Sequence, residues 1–73
     1  MADAYPTNTK VQWDWGGGTG EGYVRGVFRE KVSEVLKGSK VTRNGSDQDP
    51  AYLIEQDDGD KVLKLHSELR RST

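Results

Sequence analysis

Residues 16–22 read Gly-Gly-Gly-Thr-Gly-Glu-Gly, five glycines in seven positions. Glycine loses more backbone freedom on ordering than any other residue, so this run is expected to lie in neither a helix nor a central strand and reads as a flexible hairpin loop. The segments beside it have the pattern such a loop would join. From Thr9 to Trp15 the chain alternates, with Thr9, Val11, Trp13 and Trp15 on one face and Lys10, Gln12 and Asp14 on the other. Period two with β-branched and aromatic residues is the mark of a half-buried strand. Tyr23–Arg29 reads as its partner. Its alternation slips at Gly26 so that Val24 and Val27 both face the core, which predicts a β-bulge there. The glycines make no phosphate site: the Gly-x-Gly-x-x-Gly spacing fails, and no Gly-Lys-Ser/Thr follows.

Further along, Glu30–Lys37 has two readings. Val32, Val35 and Leu36 fit one helical face with Gly38 as a stop, or the segment continues as a strand towards Val41. The strand-like flanks favour the strand. Residues 43–50 form a loop with Asn44-Gly45 as its turn signal. Ala51–Glu55 and Lys61–His66 read as two strands of a hairpin around Asp58-Gly59. Residues 67–71 form a last helical turn or short strand, with Leu69 closing the end of the fold. The expected organisation is a flexible N-terminal arm over 1–8, one domain over 9–71 and a tail at 72–73. Five short strands without a long amphipathic helix predict an all-β domain, a small five-stranded barrel.

Composition narrows function mainly by exclusion. The 73 residues are 32% hydrophobic, with Lys+Arg 11 against Asp+Glu 12, a net charge of −1. A chain this short buries a modest core and leaves little material for a deep pocket. It has no cysteine and one histidine. Thiolate nucleophiles, thiolate zinc sites and two-histidine metal sites are therefore excluded, and no metal or cofactor is expected. No apolar run is long enough for a membrane helix, and the first residues lack the pattern of a secretory signal, so the expected location is cytoplasmic. His66-Ser67-Glu68 is a triad in letters only, because neighbours along a strand point to opposite faces. His66 is expected to be structural. The chain is not expected to be an enzyme.

The order and spacing of several pieces carry a resemblance. They are Val11-Gln12-Trp13, Gly22-Tyr23-Val24, Gly38 through Arg43, Asp49-Pro50-Ala51-Tyr52-Leu53-Ile54, and Val62 through Leu69. Together they resemble the hypervirulence-associated protein Tudor domain family over about residues 9–71. That resemblance implies an SH3-like (Tudor-like) barrel and no established activity. Tudor domains proper often hold methylated Lys or Arg among aromatic rings, where cation–π attraction acts.

Two binding readings follow. In the first, a peptide or protein is recognised at a barrel mouth formed by the 15–23 and 44–52 loops. Trp15 and Tyr23 supply aromatic surface there, and Asp14, Asp47 and Asp49 supply acid. Trp13 and Tyr52 are assigned to the core. In the second, a nucleic acid is met by Arg25, Arg29, Lys31, Lys40 and Arg43, since residues 25–43 hold six basic against two acidic side chains. The acidic whole-chain balance weighs against the second. A monomer or weak dimer is expected, because an open small barrel keeps strand edges.

Overall fold

The computed structural model describes residues 4–72. They form seven strands: β1 (Lys10–Trp15), β2 (Gly18–Phe28), β3 (Lys31–Leu36), β4 (Ser39–Asn44), β5 (Ala51–Glu55), β6 (Lys61–Leu65) and β7 (Arg70–Arg71). A 3-10 turn, His66–Glu68, joins β6 to β7. The strands make two antiparallel sheets, one of five strands in the order β6-β5-β2-β1-β7 and one consisting of the β3–β4 hairpin. The domain is all-β, as expected. It differs from the expected barrel in two respects: there are seven strands instead of five, and hydrogen bonding does not close them into one ring.

The glycine-rich segment departs furthest from the sequence reading. Only Gly16 and Gly17 turn the chain; from Gly18 onward the segment is the first half of β2, paired along its length with β1. Its glycines alternate, and two of them sit under large side chains. Gly20 lies opposite Trp13, and a methyl group there would come within 2.6 Å of the indole. At Gly22 a methyl would meet Ile54 Cγ2 at 2.6 Å and the Glu55 carbonyl oxygen at 2.7 Å. The entropic cost of glycine in a strand is offset by apolar side chains laid over it, the arrangement used to rescue glycine in designed sheets.

The bulge falls where the Val24/Val27 slip places it. Val24 pairs with Ile54 and Gly26 with Leu53, leaving Arg25 as the extra residue. Val24 and Val27 consequently share the face that carries Tyr52 and Ile54. On that face Val11, Trp13, Val24, Tyr52 and Ile54 form the core, with Ala4, Tyr5, Val27, Val62 and Leu69 packed around it.

Within 30–37 the chain forms a strand, Lys31–Leu36, not a helix, but it reverses directly after it. Leu36 pairs with Ser39 across a two-residue turn, Lys37-Gly38. Both turn residues have positive φ, 52° and 79°, the geometry whose twist suits a hairpin. Lys37 is not a usual residue for that position, so the sequence carries only half of the turn signal.

The expected N-terminal arm is docked over residues 4–8. Asn8 N donates to the Val24 carbonyl, and Tyr5 N donates to Tyr52 Oη at 3.0 Å. Residues 1–3 and Thr73 of the expected arm and tail lie outside the described residues. Ser72, expected in the tail, is tied in: its N donates to the Lys10 carbonyl and its Oγ to Glu21 Oε2.

Candidate functional site

The sheet order brings the β1–β2 turn next to the β5–β6 turn. Residues 56–60 are held in a tight reversal by Gln56 N to the Asp60 carbonyl at 2.7 Å, with Gly59 at φ 89°. Asp58 Oδ1 accepts from Asp60 N at 3.0 Å, the side-chain-to-backbone bond that makes aspartate a turn former. Between the two turns lies an open groove of about 400 Å³.

Trp15 forms one side of this groove. It sits at the end of β1, beyond the reach of the core, and its side chain is 58% exposed. Its ring leans over Gly17, where a methyl group would come within 2.5 Å of it. Glu21, Asp57 and Asp58 also line the groove, with Thr19, Gly20 and Gln56, and no lysine or arginine does. Glu21 accepts from the Ser72 hydroxyl, and the Asp57 carboxylate has no partner among the described residues. One exposed tryptophan and three acidic residues thus border a single open space, with the Glu21 carboxylate turned toward Ser72.

The other aromatic and acidic candidates lie elsewhere. Tyr23 pairs with Lys10, five strand positions from Gly18, which is opposite Trp15. That is roughly 16 Å at the usual strand rise. Its ring faces the Arg25 guanidinium at 5.6 Å. Asp14 is held by Arg70 through two bonds, 2.9 and 3.1 Å, and this pairing keeps its carboxyl below the usual carboxylate range. Asp49 is committed to the fold, accepting from Ser67 N at 2.8 Å and Ser67 Oγ at 2.9 Å. Asp47 is fixed through its backbone carbonyl, which accepts from Arg29 at 2.8 Å.

The mouth itself is corrected. The 44–50 loop packs at the far end of β2, where a methyl group on Gly45 would strike the Phe28 and Glu30 carbonyl oxygens. Gly18, at the near end, belongs to the β1–β2 turn. The two loops do not meet, so Trp15, Tyr23, Asp14, Asp47 and Asp49 are not gathered. The sequence reading missed Glu21, Asp57 and Asp58. Only the sheet order makes Asp57 and Asp58 neighbours of Trp15.

The basic candidates divide in two. Arg25 is bound by Glu55 at 2.9 Å and donates to Asn8 Oδ1, Arg29 holds the 44–50 loop, and Arg43 lies 3.8 Å from Glu68. Lys31 and Lys40 remain exposed, on the same face of the β3–β4 hairpin as Val35, which is 71% exposed.

His66 is hydrogen-bonded and packed as expected, but it opens a 3-10 turn over 66–68 and is not the expected strand end. Tyr52 Oη accepts the Tyr5 N–H at 3.0 Å and shares a second hydrogen bond with His66 Nδ1 at 2.8 Å. The Tyr5 ring stacks on the imidazole at 4.7 Å. Its sequence neighbours turn elsewhere, Ser67 to Asp49 and Glu68 to the Leu65 N–H. Among the described residues no group of three or more His, Asp or Glu is placed to hold a metal ion, and no helix is long and apolar enough to cross a membrane.

The described residues thus form a small all-β domain with a shallow groove beside an exposed tryptophan. The chain is a member of the hypervirulence associated proteins TUDOR domain family, matched over residues 9–69. No curated protein and no solved structure matches it.

Proposed function

We propose that this chain is a non-catalytic recognition domain that binds a basic segment of another protein, taking an arginine side chain into the groove beside Trp15. The observation that carries this reading is the exposed Trp15 ring bordering the same groove as Asp57, Asp58 and Glu21, with no lysine or arginine lining it among the described residues. A guanidinium is planar and weakly hydrated. It stacks on an indole face while its edge donates to a carboxylate. Both partners stand here. A cage for a methylated ammonium needs several rings around one cation, and Tyr23 is too far along β2 to supply the second.

Tryptophan fluorescence tests the reading, because Trp13 is buried and Trp15 is not. A glycine–arginine peptide changes the emission saturably. Replacing arginine by its neutral isostere citrulline weakens binding at least about tenfold, the equivalent of one charged hydrogen bond. Equal affinity for the two peptides refutes the reading. Preferential binding of an oligonucleotide, with Lys31 and Lys40 responding, transfers the function to the β3–β4 hairpin.

A further inference from the structure

Gln56 stands between two cavities. On one side lies the Trp15 groove. On the other is an opening of about 300 Å³ between the β3–β4 hairpin and β6, and Gln56 lines this one as well. Leu36 and Val41 border it from the hairpin, where register puts them on the same half-buried face. Val62 and Leu63 border it from β6. Neighbours along a strand point to opposite faces, so the opening runs along the outer edge of β6, the edge not paired with β5. Of the lysines beside it, Lys37 is paired with Asp60, Lys61 stands across from Glu55, and Lys64 reaches towards Trp13. The opening is therefore chiefly apolar, where the Trp15 groove is acidic.

Gln56 itself is half-buried, and its side-chain amide makes no hydrogen bond among the described residues. That amide carries the donors and the acceptor that a peptide group needs. A chain lying across the β5–β6 turn passes over it and reaches both cavities. In the sheet order the groove lies over β2 and β5 and the opening lies beyond β6, about two strand spacings, or about 10 Å, away. A polyproline-like extended chain, with about three residues per turn and about 3.1 Å per residue, puts side chains i and i+3 on one side at that separation.

We infer that the arginine-bearing segment also carries a large apolar residue, leucine- or phenylalanine-sized, three positions from the arginine. That side chain enters the opening against Leu36 and Val41, and Gln56 hydrogen-bonds the backbone between the two anchors. The volume, at the lower end of ordinary ligand sites, suits one side chain and not a folded partner. The inference rests on the arginine reading of the Trp15 groove and adds the second anchor of the same partner.

The test is an NMR titration of the full chain with glycine-flanked peptides. Arg-Gly-Ser-Leu and its reverse, Leu-Ser-Gly-Arg, are each compared with a version carrying serine for leucine and one carrying citrulline for arginine. In at least one order the leucine peptide binds about tenfold or more tightly than its serine counterpart, the fold-change of burying one large apolar side chain. It shifts the Leu36 and Val41 amides together with the Trp15 indole N–H, whereas the serine peptide moves the indole alone. Val41→Ser removes the leucine advantage. The peptide comparison uses the unaltered chain, so a folding defect in that variant leaves the test intact. Equal affinity of leucine and serine peptides in both orders, with citrulline still weakening binding, overturns this inference alone. Equal affinity of arginine and citrulline peptides overturns the arginine reading and this inference with it.

Discussion

The Trp13 indole occupies the space where Gly20 would carry a side chain: a methyl group there would come within 2.6–2.7 Å of three ring atoms. The two residues are direct cross-strand partners in β1 and β2. This relationship lets a glycine-rich segment serve as a strand of the main sheet and lets Trp13 close the core.

Substituting the glycines therefore has graded effects. Gly20→Ala and Gly22→Ala are expected to destabilise the domain by about 1–3 kcal/mol, the range for forcing extra volume into a packed site. Gly22→Ala is the worse of the two, because the Glu55 backbone blocks one side. Gly16→Ala meets nothing within 4 Å and should stay within about 0.5 kcal/mol. Urea unfolding of the three variants checks the order.

Tyr52 gives an alkaline signature. Its burial pushes the phenol up from its ordinary value. The folded state thus favours the neutral form. That contribution is complete below the pH at which an unfolded tyrosine ionises, about 10, and is lost as pH rises through the higher folded value. Absorbance titration should show a late phenolate step that disappears in Tyr52→Phe. The same variant leaves the Tyr5 N–H and His66 Nδ1 unpartnered and should lose about 1–3 kcal/mol.

The Asp14–Arg70 pair predicts a small acid-side effect. Arg70 holds the Asp14 carboxyl below its ordinary value, so the pair contributes above the pH at which an unfolded aspartate ionises, about 4. The contribution disappears as pH falls through the depressed folded value. Melting temperatures of the wild-type chain and Asp14→Asn should separate slightly near neutrality and converge in acid. Both side chains are largely exposed, so salt should shrink the gap.

Much of this fold is legible in the letters where the signal is local. The Val24/Val27 slip marks the bulge, and Asp58-Gly59 marks the β5–β6 turn. Thr9–Trp15 alternates as a half-buried strand should. The failures are non-local. Nothing within residues 16–22 says that Trp13 and Ile54 will lie over Gly20 and Gly22. The β3–β4 reversal hides behind Lys37, which adopts positive φ without being a turn residue by type.

The candidate site divides the same way. Trp15 is recognisable as an aromatic residue at a strand end. Two of its acidic neighbours, Asp57 and Asp58, come from a turn about forty residues away in sequence, brought close by the pairing of β2 with β5. The assumed barrel mouth joined two loops that sit at opposite ends of β2.

The central claim is that the Trp15 groove recognises arginine. Its most direct measurement is an NMR titration of the full chain with an arginine-containing peptide, read at every backbone amide and at both indoles. The account predicts saturable shifts at the Trp15 indole, Glu21 and Asp57, abolished by Asp57→Asn combined with Glu21→Gln while the rest of the spectrum is unchanged. Shifts that leave Trp15 unmoved, or that survive removal of both carboxylates, would contradict it.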